Sequence, residues 1–260
     1  MQIDLSGRVA IVTGAGRGIG RAIAQKLARE GVTVAVLDAR QDLLDDVAAE
    51  WNEAGWPGMR HLCDVRDRDQ VGVAVAAVAQ QLGRIDVLIN NAGVAGGARV
   101  EALDEEIWDR NFDINMKGTF LMCQAVIPTM KAQGFGRILN ASSFAAIIPS
   151  IGGAAYAASK AAVVSFTRVL AGELGPWNIT VNAYAPGMVP TEMNRFAERA
   201  EADQQSLLDT LTLRRWGEPQ DVANLLCFLA SDQAAYITGA LIDVSGGKFA
   251  TQFPSLAYRQ

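Results

Sequence analysis

The stretch Val9-Ala-Ile-Val-Thr-Gly-Ala-Gly-Arg-Gly-Ile-Gly20 decides the fold of this 260-residue chain. Its first five residues form an apolar run typical of a buried strand, and the glycines that follow open a helical pattern. Glycines in such a turn let the backbone approach a pyrophosphate, which then lies at the positive end of the helix. The spacing departs from plain G-x-G-x-x-G because it extends to Gly18 and Gly20, and a glycine-rich turn without a ligand is the alternative. Its position between a first strand and a helix favours a dinucleotide site.

An acidic residue, Asp38, ends the second apolar run, roughly 20 residues past the glycines. A carboxylate there can accept hydrogen bonds from the adenosine ribose and repels a 2′-phosphate, so the sequence favours NAD over NADP. Arg17 and Arg40 are the counter-evidence, because a nearby arginine can accommodate that phosphate. Solvated surface charge is the other interpretation of both arginines.

Short apolar runs alternate with helical patterns along the whole chain. This alternation is typical of a parallel sheet with helices on both faces, and right-handed crossovers then predict an α/β, doubly wound (Rossmann) sheet of seven strands. No linker or repeat interrupts the pattern, so we expect a single domain over residues 1–260. The predicted strands are 9–13, 33–37, 59–63, 87–90, 137–140, 180–183 and 240–244. The predicted helices are 18–30, 41–54, 67–82, 104–132, 155–174 and 219–230.

Composition narrows the classes of partner. The formal net charge of -5 and the lack of any Lys/Arg-rich block argue against nucleic acid or an anionic membrane. No secretory signal pattern is visible, and no apolar stretch approaches the roughly 18 to 20 residues of a membrane-spanning helix. We therefore expect a cytoplasmic protein that acts on a small molecule.

The few cysteines and the single histidine argue against several classes of hydrolase mechanism. Cys63, Cys123 and Cys227 are widely spaced in apolar sequence and predict free, buried thiols. His61 is the sole histidine, so a Ser-His-Asp or Cys-His mechanism would have to use it, and a metal site would lack a second imidazole. We expect His61 to be structural, at the end of a strand, and no metal to bind.

Tyr156 and Lys160 are four residues apart in a helical pattern, which places the phenol and the ammonium on one face. A free tyrosine loses its proton near pH ~10. A nearby cation favours the phenolate, so the pair predicts a tyrosine that exchanges protons at a lowered pKa. An ordinary surface tyrosine and lysine are the alternative.

Ordered motifs along essentially the whole chain resemble the classical short-chain dehydrogenase/reductase family. The motifs are Thr13-Gly-x-x-x-Gly18-Ile-Gly20, Asn90-Asn-Ala-Gly93, Asn115 in the long middle helix, Ser142-Ser143, Tyr156-x-x-x-Lys160, Pro186-Gly187 and Ile237-Thr-Gly239. Ser143 lies thirteen residues before the tyrosine, as the family's catalytic serine does, and Ser142 fits that spacing less well.

The resemblance implies a catalytic set of Asn115, Ser143, Tyr156 and Lys160. Tyr156 would exchange a proton with the substrate oxygen, and Lys160 would favour the phenolate and hold the nicotinamide ribose. Ser143 would donate to the oxygen on which charge develops, and Asn115 would anchor a water that links Lys160 to solvent. Each residue also has a structural alternative. Ser143 could cap the end of a strand, and the Asn115 amide could be hydrogen-bonded within its helix.

The resemblance also assigns residues to the cofactor and the substrate. Asp64 has a structural alternative, as the cap of the helix that begins near residue 67. The expected cofactor contacts are Gly14, Arg17, Gly18, Ile19, Gly20, Asp38, Asp64, Val65, Asn91, Ala92, Gly93, Tyr156, Lys160, Pro186, Gly187, Val189 and Thr191. The expected substrate contacts are Ser143, Phe144, Gly153, Tyr156, Met188 and Met193, with Ile147, Ile148 and Phe196 as further candidates.

Two long segments predict a substrate lid and a subunit contact. Residues 187–216 are long for a connection, and such connections are usually lids or binding loops. No Arg/Lys pair marks a carboxylate or phosphate handle, although Arg195 lies in this lid. The helix 157–174 is apolar on every side. Since the family is commonly tetrameric through this helix and 104–132, the resemblance implies a homotetramer, with coverage by another helix of the same chain as the alternative.

These features favour an NAD(H)-dependent oxidoreductase that interconverts a secondary alcohol and a ketone, of the sugar, polyol or small secondary-alcohol dehydrogenase type. A 3-oxoacyl-thioester (acyl-carrier-protein) reductase using NADPH is the alternative within the same class. A non-catalytic dinucleotide sensor is the rival from another class, and it usually requires a degraded active site. All four catalytic positions here hold competent residue types.

Overall fold

The structure, a computed structural model, describes residues 3–194 and 196–258. The ends of the predicted domain (1–2 and 259–260) and Arg195 of the predicted lid lie outside the described residues.

Seven parallel strands form one sheet, which confirms the predicted fold class. The spatial order is β3-β2-β1-β4-β5-β6-β7. Each predicted strand is present within a residue or so of its expected ends, except that β6 continues through Pro186, which pairs with Val244. The strands are β1 Val9–Thr13, β2 Thr33–Asp38, β3 Gly58–Leu62, β4 Val87–Asn90, β5 Gly136–Ala141, β6 Ile179–Pro186 and β7 Leu241–Val244.

The described part of the chain has eight α-helices, and helices pack on both faces of the sheet. Alternate residues of a strand face opposite layers. In β1, Ala10 and Val12 pack in the core with α1, α2 and α8, whereas Val9 and Ile11 pack in the core with α3, α5 and α6. The helices are α1 Gly18–Arg29, α2 Gln41–Ala54, α3 Arg68–Leu82, α4 Glu105–Phe112, α5 Gly118–Gln133, α6 Ala154–Leu174, α7 Glu201–Leu208 and α8 Pro219–Ala230.

The long middle helix predicted over 104–132 is two helices, α4 and α5, joined by a π-helical turn at Asp113–Lys117. Asn115 lies in this turn, fully buried, and not in a regular α-helix. Apolar periodicity continues through the turn, so the sequence pattern did not separate the two helices. Turns of this kind are rare and often occur at functional sites.

The segment predicted as a lid contains regular structure of its own. A 3₁₀ turn at Phe196–Glu198 and helix α7 lie within it. None of the α7 residues is buried, so no apolar stripe marked this helix in the sequence.

The three cysteines are free and buried, as predicted. His61 lies in β3, where burial lowers its pKa. No described helix combines the length and apolar character needed to cross a lipid bilayer.

Candidate active site

The carboxyl ends of the strands open onto a cleft of about 890 Å³. All residues predicted to contact the cofactor line this cleft, and so do Ser143, Phe144, Gly153 and Met193 of the predicted substrate set. Met188 is buried and does not line it. The structure therefore brings the predicted residues together at one cleft, whereas Met188 lies in the core.

The glycine turn between β1 and α1 forms a cradle that side chains would fill. Gly14 and Gly18 have φ of 61° and 54°, in the left-handed region that favours glycine. A Cβ on Gly20 would lie 2.2 Å from the Gly14 carbonyl oxygen. Arg17, at the N-cap of α1, makes no side-chain capping bond, which leaves N–H groups of the first turn for an anion. The cradle fits the pyrophosphate of a dinucleotide.

Thr13 and Asn91 tie this turn to the segment that follows β4. The Thr13 hydroxyl accepts from the N–H groups of Asn91 and Ala92 at 3.1 and 3.0 Å. The Asn91 amide donates to the carbonyls of Thr13 and Gly14, at 3.2 Å each. These bonds fix two walls of the cleft against each other, and Thr13 was not among the predicted site residues.

Asp38, at the end of β2, is held beside the glycine turn. Its carboxylate accepts from the N–H of Gly16 at 3.0 Å and from that of Arg40 at 3.1 Å. The Arg40 guanidinium pairs with Asp42, and the Arg17 guanidinium pairs with Glu192 in the lid. Both arginines that could have received a 2′-phosphate thus have carboxylate partners.

Asp64 lines the cleft, and its predicted alternative as a helix cap does not hold. Asp67 caps α3 by accepting from the N–H groups of Asp69 and Gln70. The Asp64 carboxylate instead binds the Arg66 guanidinium at 2.6 Å, and this hydrogen bond lowers the Asp64 pKa.

Tyr156 and Lys160 on α6 meet Ser143, which follows β5. The Ser143 hydroxyl is near enough to the Tyr156 phenol to lower the phenol pKa by hydrogen bonding. Buried Lys160 donates from Nζ to the Ala141 carbonyl at 2.9 Å and lies 5.9 Å from the centre of the Tyr156 ring. The Ser142 hydroxyl is engaged elsewhere, donating to the Lys160 carbonyl at 3.0 Å. The geometry therefore favours Ser143 over Ser142 as the donor to a ligand.

Burial dominates the pKa of both titratable groups. It raises the Tyr156 pKa above its ordinary value, and the hydrogen bond from Ser143 offsets this only in part. It lowers the Lys160 pKa to about 8. The Tyr156 pKa is thus raised and not lowered as predicted from the neighbouring cation, because the loss of solvent around the phenol is its largest cause.

The side-chain amide of Asn115 finds its hydrogen-bond partners within the protein, as the structural alternative to a water-binding role predicted. Its Oδ1 accepts from the Val94 N–H at 2.9 Å, and its Nδ2 donates to the Val94 carbonyl at 3.0 Å and to the Ser159 hydroxyl at 2.9 Å. A Cβ on Gly93 would lie 3.1 Å from Oδ1 of Asn115 and 3.2 Å from Nζ of Lys160. Asn115 thus lies behind Gly93 and Val94 and holds that wall in place, without lining the cleft itself.

The cleft also contains two arginines that no motif predicted. Arg110 of α4 and Arg199 of the lid line it, and the Arg199 guanidinium lies 5.3 Å from the centre of the Phe196 ring. Phe196 lines the cleft and stacks on Trp216, with 5.8 Å between ring centres. Ile147 and Ile148 are exposed and do not line it. Arg110 and Arg199 are distant in sequence, so only the fold brings them to one cleft.

Comparison with known proteins gives full-length matches. Residues 14–248 match the model of a family described as enoyl-(acyl carrier protein) reductase. The chain is 41% identical to the 3-oxoacyl-[acyl-carrier-protein] reductase FabG of Thermotoga maritima, over 94% of this chain and 98% of that protein. It is 39% identical to an NAD-dependent glycerol dehydrogenase of Listeria innocua, over 94% of each. A solved NAD⁺-bound xylitol dehydrogenase superposes with a TM-score of 0.88 at 32% identity, over 93% of this chain and 99% of that one.

Proposed function

The chain belongs to the short-chain dehydrogenase/reductase family of oxidoreductases, and we propose that it interconverts a secondary alcohol and a ketone with NAD(H). The meeting of Tyr156, Ser143 and Lys160 in the same cleft as the glycine turn and Asp38 is the observation that carries this proposal. The substrate is of the sugar, polyol or small secondary-alcohol type.

Each catalytic group has one task in the proposed reaction. The nicotinamide, when bound, supplies the hydride acceptor for an alcohol or the hydride donor for a ketone. Tyr156 takes the hydroxyl proton of the alcohol, or gives its own proton to the ketone oxygen. Ser143 donates a hydrogen bond to that oxygen as negative charge develops on it. Lys160 provides a cation beside the phenol and N–H donors for the nicotinamide ribose.

We assign Asn115 a positioning role and not a proton-relay role. All of its side-chain hydrogen bonds go to Val94 and Ser159, so no polar atom of the amide is directed at a ligand. Its support of Gly93 and Val94 keeps the wall beside Lys160 at the right distance.

The Asp38 carboxylate supports NAD as the cofactor. It is fixed by two backbone N–H groups at the end of β2, and a 2′-phosphate placed there would meet negative charge. Arg17 and Arg40 are engaged with Glu192 and Asp42. The Listeria innocua relative is named as NAD-dependent.

A 3-oxoacyl-thioester reductase using NADPH is the second candidate, and the 41% identity to FabG favours it. In that case the Arg17 and Arg40 ion pairs must open to receive a 2′-phosphate. Both pairs are at the surface, where such interactions are worth little.

A substrate screen separates the two candidates. We would follow the NADH or NADPH signal with polyols, sugars, aryl alcohols and 3-hydroxyacyl thioesters, and with acetoacetyl thioesters in the reverse direction. The first proposal predicts turnover of an alcohol with NAD⁺. Turnover confined to thioesters with NADP(H) would favour the second candidate, and no turnover with any pair would count against both.

We propose a single domain with a substrate lid at about 187–216, working in the cytoplasm as a homotetramer. Three free, buried thiols agree with a reducing compartment. An ion pair between Arg17 and Glu192 connects the lid to the glycine turn, so lid position and cofactor binding are coupled in this proposal.

A further inference from the structure

Tyr184 is a buried residue of the cleft that the proposed reaction does not use. It lies in β6, two residues before Pro186, and its side chain has no solvent-exposed area. It nevertheless lines the cleft, and its hydroxyl has no hydrogen-bond partner among the described residues. Buried polar groups are nearly always paired in native proteins, so an unpaired phenol hydroxyl at a ligand cleft calls for an explanation.

The surroundings of Tyr184 place it at the reactive end of the cleft. Its backbone carbonyl accepts from the Ser142 N–H at 2.8 Å, next to the proposed donor Ser143. Its ring packs in the same apolar cluster as Val189, with Ile19 against that cluster. Both residues line the cleft and are proposed cofactor contacts.

The protonation state of the Tyr184 phenol follows from its burial. Burial, and to a smaller extent the charge of Tyr156, raise the pKa of Tyr184. The hydroxyl therefore stays protonated over the working range of pH and remains available as both donor and acceptor.

We propose that the Tyr184 hydroxyl is a cofactor-positioning group that hydrogen-bonds the carboxamide of the bound nicotinamide. The inference rests on the proposed function in requiring a nicotinamide cofactor in this cleft. A carboxamide presents both an acceptor oxygen and N–H donors, and a phenol can pair with either. Binding would thus satisfy a hydroxyl that the protein alone leaves unpaired, and would fix the rotation of the ring beside Tyr156 and Ser143.

Thr180 offers a matched control in the same strand. It lies four residues before Tyr184, on the same face of β6, because side chains alternate along a strand. Its hydroxyl is also buried without a partner among the described residues, but Thr180 does not line the cleft. The two side chains share burial and an unpaired hydroxyl, and only Tyr184 lines the cleft.

The test compares Tyr184→Phe with Thr180→Val, using calorimetric titration of NADH and of ADP-ribose, which lacks the nicotinamide. We expect Tyr184→Phe to weaken NADH binding about three- to tenfold and to leave ADP-ribose binding unchanged, as for one hydrogen bond lost. The thermal midpoint of the ligand-free variant should stay equal or rise, since phenylalanine removes only the unpaired hydroxyl. Thr180→Val should bind NADH as the unmodified protein does.

Three results would overturn this assignment. Equal NADH affinity in Tyr184→Phe would show that the hydroxyl does not contact the cofactor. An equal loss of NADH and ADP-ribose affinity, or a lower thermal midpoint without ligand, would show a structural role instead. Failure of the unmodified protein to bind NADH would refute the proposed cofactor as well, so failure of this inference alone can be distinguished.

Discussion

At the scale of single residues, burial acts in opposite directions on the two titratable groups beside the proposed reaction. It raises the pKa of Tyr156 and lowers that of Lys160 to about 8. A protonated phenol suits reduction of a ketone at neutral pH, because the proton is ready to be donated. Oxidation of an alcohol needs the phenolate, which a raised pKa makes scarce at neutral pH.

The first prediction concerns pH. The rate of alcohol oxidation should rise from pH 7 towards pH 10 as the phenolate of Tyr156 becomes more populated. Protonation of Tyr156 should leave ketone reduction nearly unchanged over that range, because the raised pKa keeps the phenol protonated. Tyr156→Phe should lose about a hundredfold or more of the rate in both directions while binding NADH normally. Initial rates in both directions, with NADH titrations of both proteins, test this.

An oxidation rate that is flat over this range or highest in acid would contradict the assignment of Tyr156 as base. Turnover of Tyr156→Phe close to that of the unmodified protein would remove the proposed mechanism.

The second prediction concerns the choice between NADH and NADPH at Asp38. Asp38→Ala removes a charged acceptor for the ribose and a repulsive charge, so NADH binding should weaken about tenfold or more while NADPH binding improves. Asp42→Ala is a matched control, because it frees the Arg40 guanidinium and leaves the Asp38 carboxylate in place. It should improve NADPH binding with little change for NADH. Retention of the full NADH preference in Asp38→Ala would show that another residue selects the cofactor.

At the scale of secondary-structure elements, the π-helical turn at Asp113–Lys117 connects helix packing to the cleft. It places Asn115 so that one amide binds both backbone groups of Val94 and the Ser159 hydroxyl on α6. The turn therefore ties α4 and α5 to α6 and to the segment that follows β4.

The third prediction distinguishes a positioning role of Asn115 from a proton-relay role. Asn115→Ala leaves the part-buried N–H and carbonyl of Val94 without their partner and removes a donor from the buried Ser159 hydroxyl, so it should lower the free energy of unfolding by about 2–4 kcal/mol. If Asn115 positions the wall, its loss should also raise the KM for the cofactor, because the wall at Gly93 is displaced. A fall in kcat with stability and cofactor KM unchanged would instead indicate a relay.

Thr119→Val serves as the control, because the Thr119 hydroxyl bonds the Asn115 carbonyl at 2.8 Å but does not contact the cleft. It should cost about 1 kcal/mol and leave the KM unchanged. Chemical denaturation and steady-state kinetics of both variants supply the measurements.

The bounds of elements that bury a continuous apolar sequence could be predicted closely. Elements without such a sequence could not be predicted. β1 and β4 are buried on both faces, so their apolar runs mark them without ambiguity. Helix α7 buries none of its residues and left no pattern. The contacts of Tyr184 and Arg199 with the cleft depend on how strand and lid pack, which local periodicity does not encode.

At the scale of the whole molecule, the order of the strands explains why the cleft lies where it does. β1 lies between β2 and β4, so the chain moves outward in one direction through β3 and then in the other through β7. Ligands of open α/β sheets bind at such a reversal, outside the carboxyl ends of the strands. The glycine turn after β1 and the Asn91–Gly93 segment after β4 flank this point and are hydrogen-bonded to each other.

The molecule also has an apolar groove away from the cleft. The groove has a volume of about 310 Å³ and lies between the π-helical turn, α5 and α6. Phe120 of α5 is 37% exposed there and meets Phe166 of α6 edge to face, with 6.3 Å between ring centres. Val169, further along α6, is 60% exposed. Exposed apolar side chains grouped in this way are typical of protein–protein contacts.

The last prediction follows from the proposed homotetramer. If this groove lies between subunits, Phe120→Glu places a charge in an apolar contact and should convert the tetramer to smaller species, as measured by analytical ultracentrifugation. Val73→Glu is the matched control, because Val73 on α3 is 71% exposed but lies outside the groove, so its assembly should not change. The cleft of one chain contains every proposed catalytic contact, and dissociated Phe120→Glu should therefore still bind NADH. A Phe120→Glu protein that stays tetrameric would place the subunit contact elsewhere, and an unmodified protein that sediments as a monomer would refute the proposed assembly.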